Sequence, residues 1–293
     1  MPWIPRGLRE GIVTSRYPRR PDGYGTGFRG TMLVHPGRAS DHEIALAAEV
    51  CPTEAISIEQ RQPRLDRGRC ILCGRCAEVC PQVFRFDPSF ETAAVGREAL
   101  VVPDESEDEE AVERARAELG RRTKALRRSV HIRHVDAGSD GAEEWEVAAL
   151  TNPVYDVQRL GIFFTASPRH ADLLLATGAG TLGMRDPLRE TYDVMPEPKV
   201  VIAAGVDAIS GGLVGGGYAA QRGLADFLPI DVFVPGSPPT PFGLLYGILL
   251  AIGLLPAGPR NGRPPSNIRP LVRSRRTSLG QLSPEDPPLE SKP

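Results

Sequence analysis

No hydrophobic run in this sequence is long enough to cross a bilayer. The longest, "FGLLYGILLAIGLL" at Phe242–Leu255, is fourteen residues, against about 20 for a membrane-spanning helix. A packed helix is expected there, its apolar face contributing to a surface for partner subunits. There is no excess of charge either. Lys and Arg number 35 against 37 Asp and Glu, a net charge of −2, so overall charge gives no reason to expect nucleic acid as a partner. The opening "MPWIPRGLRE" lacks the apolar core of an export signal. No Ser–His–Asp or Cys–His arrangement suggests a nucleophilic enzyme. Cysteine is absent everywhere except between residues 51 and 80, where all five lie.

Those five cysteines, in a chain expected to remain unexported, are read as metal ligands rather than disulfides. Cys70, Cys73, Cys76 and Cys80, followed by Pro81, form the run C-x2-C-x2-C-x3-C-P. This is the spacing of bacterial ferredoxins: a tight loop with Gly74 wraps three thiolates around one face of a cubane cluster. Zinc is the alternative, but zinc ribbons separate two C-x2-C knuckles by many residues. The fourth cysteine of such a run ligates the other cluster in two-cluster ferredoxins. This segment resembles one of those proteins, with halves "EVCPTEAISIE" and "EVCPQVFRFD". In the first half, Asp41, Ile44 and Ala47 stand where three thiolates would be. The resemblance implies one surviving 4Fe–4S cluster held by Cys51, Cys70, Cys73 and Cys76, with Cys80 spare. Local ligation by Cys80, with Cys51 a core thiol, stays open.

Composition divides the rest. Residues 1–40 carry seven arginines against two acids and suggest an extended basic arm. Residues 41–102 form the cysteine module, and 103–128 an acidic block followed by a charged linker or docking helix. Residues 257–293 have too few apolar residues to fold alone and are expected to be disordered. Residues 129–256 alternate strand-like runs, "VHIRHV", "ADLLLATG", "KVVIAAG" and "IDVFVPG", with helical stretches. That rhythm predicts a parallel sheet covered by helices. The fold class is therefore α/β plus α+β, a ferredoxin-like module followed by a flavodoxin-like parallel-sheet domain.

The motifs "HVDAGS", "NPVYDVQRLGI", "ASPRHADLLLATG", "TYDVMPEPKVVIAAG" and "DVFVPGSPP" resemble the family that includes the small subunit of nickel–iron hydrogenases and the 20 kDa subunit of complex I. The first hundred residues, with "GIVTSRYP" and "FRG", are similar to the ferredoxin-like subunit beside it in formate hydrogenlyase-type complexes, so the chain looks like a fusion of two adjacent subunits. The resemblance implies an electron-transfer and assembly subunit, non-catalytic by itself, of a complex I-like, group 4 hydrogenase-related complex. It would sit peripherally on the cytoplasmic face of the cell membrane, with a large-subunit homologue and membrane-arm subunits as partners. A structural scaffold with a non-redox cluster is the alternative.

The family's second-domain cluster needs four cysteines, and the matching positions here are Asp140, Glu143, Asp207 and Ser237. Carboxylates and a hydroxyl are hard donors unsuited to an iron–sulfur cluster, so no cluster is expected there. The replacements either converge on a hard cation such as Mg²⁺ or Mn²⁺, or fill a solvated former site with polar groups. Gly178, Gly180 and Gly183 in "TGAGTLG" fit the dinucleotide fingerprint G-x-G-x-x-G, which gives a weaker reading as a nucleotide-binding oxidoreductase. His131 and His134 fall on opposite sides of a strand and are poor joint ligands. Arg169 and His170 match a family motif near the partner side.

Overall fold

The computed structural model describes residues 3–19, 28–35, 39–103, 109–124, 126 and 129–255. The expected disordered tail, 257–293, and most of the acidic block lie outside the described residues.

The cysteine module begins earlier than its composition suggests. Residues 1–40 are not simply an extended arm: they contain helix α1 (Trp3–Glu10) and strand β1 (Thr31–Val34). Tyr17 is buried, and the Arg159 guanidinium donates to its carbonyl. Helix α2 (Asp41–Glu49) starts at a capping box, in which Ser40 accepts from the Glu43 N–H and Glu43 reaches back to the Ser40 N–H, satisfying donors the helix cannot satisfy itself. Strands β2 (Ile56–Glu59) and β3 (Gln62–Asp66) follow, then helix α3 (Arg75–Val79), strand β4 (Phe84–Asp87) and strand β5 (Val101–Val102). Two small antiparallel sheets result. β1 pairs with β4, with Met32 opposite Phe86, and β2-β3-β5 form the other. Their apolar sides enclose Met32, Leu65, Val83 and Phe84.

Helix α4 (Glu109–Arg122) leads to the second domain. Its end is docked there: Leu119 is buried, and Arg122 pairs with Asp231 at 2.7 Å. The second domain runs β6 (Val130–Asp136), α5 (Ala142–Ala149), β7 (Ile162–Phe164), β8 (Leu173–Thr177), α6 (Arg185–Asp193), β9 (Val200–Ala204), α7 (Val206–Ser210), β10 (Val232–Val234) and α8 (Pro241–Ala251). The parallel sheet has order β10-β9-β8-β6-β7. Counted within the domain this is 2-1-3-4-5, one of the two common doubly wound orders, whose functional loops leave the carboxyl ends of the strands. Every residue of β8 and β9 is buried, as central strands covered on both faces require.

Helix α8 is buried along its whole length, so the expected exposed apolar face at Phe242–Leu255 is not found. The helix is consumed inside the chain. Its Phe242 ring meets Phe90 of the cysteine module at 5.0 Å and Tyr155 at 4.8 Å. Residues 92–95 also seal the sheet edge. Ala94 and Phe233 exchange both backbone hydrogen bonds, at 3.0 and 2.9 Å, leaving β10 no open rim there for another chain.

Candidate metal centre

The ligand loop is set by backbone geometry. Asp66 at the end of β3 accepts from the Gly68 N–H, and the Cys70 N–H donates to the Arg67 carbonyl. Leu72 at φ +55° and Gly74 at φ +84° then reverse the chain through left-handed conformations, a cheap one only for glycine. At Gly74 a Cβ would also stand 3.1 Å from the Phe86 ring. Helix α3 follows at once and carries Cys76.

Cys51, Cys70, Cys73 and Cys76 line one hollow of about 310 Å³, open to solvent and floored by Met32, Ile56 and Leu65. Burial pushes the Cys70 thiol up to about 11 and the Cys76 thiol up to about 12, with the neighbouring cysteines of this group adding to both shifts. The Ala55 N–H donates to Cys51 Sγ at 3.3 Å, and the backbone at Leu72 and Ala77 lowers the Cys70 and Cys76 thiols against the effect of burial. Cys80 does not line the hollow. It is fully buried among Ala47, Val83 and Phe84, and the ionisable group acting on it is Glu43 of α2. Ile44 and Ala47, at two of the three positions without a thiolate, are buried too.

The donor set fits a 4Fe–4S cluster. Four soft sulfurs converge on a hollow, with an N–H donor directed at Cys51, as such clusters require. Zinc fits worse: its four ligands must lie about 2.3 Å from a single point, and among the described residues no three His, Cys, Asp or Glu side chains are placed to hold a single ion.

The same holds in the second domain: among the described residues no three such side chains are placed to hold a single ion. The four matching positions do share one edge, at the carboxyl ends of β6, β9 and β10. Asp140 and Asp207 act electrostatically on Glu143, and the Gly236 carbonyl just before Ser237 accepts from the Val206 N–H at 2.8 Å. Glu143 is only 2% exposed, and its Oε2 has no hydrogen-bond partner among the described residues. It is wedged against Gly205, where an added Cβ would lie 2.5 Å from Oε1. Burial first, then Asp207, Asp140 and Glu144, push Glu143 up to about 7. Asp207 is likewise raised, by burial, Asp140 and Glu144.

A raised carboxyl pKa favours the folded state when the group is protonated. Its contribution is complete below the ordinary carboxyl range and is lost as pH climbs to about 7. Wild-type stability is therefore expected to fall between pH 4.5 and about 7 by up to about 3 kcal/mol, and Glu143→Gln to flatten that fall. Denaturant midpoints across this range provide the check, and an unchanged slope in the variant would refute the assignment.

Beside these carboxylates lies a polar network not anticipated from the sequence. The Thr177 hydroxyl lies 3.0 Å from His134 Nε2 and donates to Glu144, which also accepts from Ser139 at 2.6 Å. Each member is an ordinary residue, and only the meeting of β6, β8 and α5 assembles them. His131 stacks on Phe163 instead, away from His134. Arg169 and His170 are exposed in a short 3-10 turn just before β8, at its amino end, and so do not join the carboxylates. Gly178 is packed against the Gly138–Ser139 backbone and Gly180 against the Gly223 carbonyl. Their lack of a side chain serves loop packing.

The family model described as NADH ubiquinone oxidoreductase, 20 kDa subunit, matches residues 141–251. A probable membrane-bound hydrogenase subunit, mbhJ of Pyrococcus furiosus, is 38% identical over 129 residues, which are 44% of this chain and 77% of that protein. The chain belongs to this 20 kDa-subunit family. Formate hydrogenlyase subunit 7 of Escherichia coli is 38% identical over 159 residues, 54% of this chain, and the match spans only 61% of that relative. A solved chain of the membrane-bound sulfane sulfur reductase, an archaeal respiratory membrane complex, is 32% identical, with a TM-score of 0.41 over 45% of this chain and 73% of that one. A second family model, the 4Fe–4S single cluster domain of ferredoxin I, matches residues 65–118. This stretch contains Cys70, Cys73, Cys76 and Cys80 and stops short of Cys51.

Proposed function

We propose that this chain is an iron–sulfur electron-transfer and assembly subunit of a complex I-like, group 4 hydrogenase-related membrane complex, built as a fusion of two subunits that are separate elsewhere. The observation that carries the reading is the convergence of Cys51, Cys70, Cys73 and Cys76 on one hollow while Cys80 is turned into the core. These four residues would hold the cluster, and the Ala55 N–H would steady the Cys51 sulfur. A bound 4Fe–4S cluster supplies one-electron transfer at a potential set by its surroundings. The second domain would hold no cluster and would dock a large-subunit homologue and the membrane arm. Among the described residues no helix is long and apolar enough to cross a bilayer. The likeness to a membrane-bound hydrogenase subunit supports a peripheral place on the cytoplasmic face.

One observation favours a second reading, a scaffold whose cluster is not used for turnover. Oxygen side chains occupy all four family ligand positions of the second domain, so the usual onward route is missing. A reductive titration of the assembled complex, followed by electron paramagnetic resonance, separates the two. The electron-transfer reading predicts a signal that appears on reduction and decays when the complex turns over. A signal unaffected by turnover leaves the scaffold.

A further inference from the structure

Arg67 opens the ligand loop and is buried, only 8% exposed. The adjacent carboxylate does not neutralise it. Asp66 is already engaged by Arg97, whose two guanidinium nitrogens donate to its two oxygens at 2.8 and 2.5 Å. Arg67 Nε has no hydrogen-bond partner among the described residues. The ionisable groups acting on it are the Cys70 thiol and then Asp87, and Asp87 Oδ1 also accepts from the Ser89 N–H. Arg67 and Cys70 together line a second hollow of about 240 Å³, open to solvent and lined also by Pro235 and Gly236 of the second domain. The guanidinium thus stands at the cysteine site, on its side facing the loop that leads to Ser237.

A guanidinium stays charged in proteins, and a buried charge without a full partner is costly. Four thiolates around an iron–sulfur core leave that core with a net negative charge, which grows by one on reduction. A fixed cation beside Cys70 therefore stabilises the reduced form more than the oxidised form. We propose that Arg67 is the built-in counter-charge of the metal centre, a positioning residue that raises its reduction potential and places the compensating charge on the side facing the second domain. This rests on the 4Fe–4S reading of the site.

The test uses the full chain, loaded anaerobically with iron and sulfide, as wild type, Arg67→Met, Arg67→Gln and Arg67→Lys. Each is titrated with dithionite and followed by electron paramagnetic resonance. Poised at the wild-type midpoint, Arg67→Met is expected to show a reduced-to-oxidised ratio at least tenfold lower, equivalent to about 59 mV for a one-electron couple. Arg67→Lys keeps the charge and should stay within about threefold. In the metal-free form the order of stability inverts. Arg67→Met should unfold at higher denaturant than wild type, because it removes a charge that only the loaded centre balances. Arg67→Gln, polar and uncharged, guards against a packing fault in the Met variant and should lower the ratio likewise. Iron-loaded neutral variants with an unmoved midpoint overturn the assignment alone, as does a Lys variant shifted as far as Met. A wild-type chain that takes up no iron overturns the cluster reading itself, and this proposal with it.

Discussion

Cys51→Ser is expected to destroy the metal centre, whereas Cys80→Ser is expected to leave it intact. In the first variant a hard, weakly acidic hydroxyl replaces a soft thiolate on the rim of the hollow, where the Ala55 N–H is already aimed at sulfur. The iron count should fall to about three per chain or fewer, with loss of the charge-transfer colour. In the second variant the change is made among Ala47, Val83 and Phe84. A buried hydroxyl there costs about 1–3 kcal/mol of stability but removes no ligand. The contrast is informative because the ferredoxin family match includes Cys80 and excludes Cys51. Local ligation by the run alone would give the reverse pattern, with Cys80→Ser colourless and Cys51→Ser unaffected. Iron analysis and visible absorption of the two purified variants decide between them.

Much of this arrangement is legible in the sequence because it depends on short-range pattern. The runs that become β8 and β9 are apolar at every position but Thr177, the near-continuous pattern of a strand covered on both faces. The pairing of Cys51 with the later run is readable because the two halves repeat one motif. β1 is not readable in the same way. Its four residues sit in a stretch rich in Arg, Gly and Pro, and its partner β4 lies some fifty residues further on. β7, at three residues, is too short to show a period. The helix at Phe242 shows the opposite failure: its apolar character is plain, but whether a partner or the chain itself covers it depends on Phe90, Tyr155 and Tyr17 arriving from elsewhere.

The sites divide along the same line. Asp140, Glu143 and Asp207 are placed together by the loop rule for parallel sheets, but the burial of Glu143 against Gly205 is a tertiary fact. Arg67 is hidden in "RLDRGR", where three arginines look alike. It is singled out only because Arg97, distant in sequence, occupies Asp66.

One cluster is expected in this chain where the second domain's family would add another. Asp140, Glu143, Asp207 and Ser237 offer oxygen donors, of which Glu143 is partly protonated near neutrality and Ser237 is exposed at a loop. A cubane held by such a set lacks the thiolates that bind its irons. The four cysteines around the first hollow have no such deficiency. The direct measurement is iron and acid-labile sulfide on the anaerobically purified full chain, with protein quantified by amino-acid analysis. About four irons and four sulfides per chain are predicted, with the iron falling to about three per chain or fewer in Cys51→Ser. About eight of each would show a second cluster and contradict the reading of the second domain, and no iron after anaerobic reconstitution would contradict the metal centre altogether.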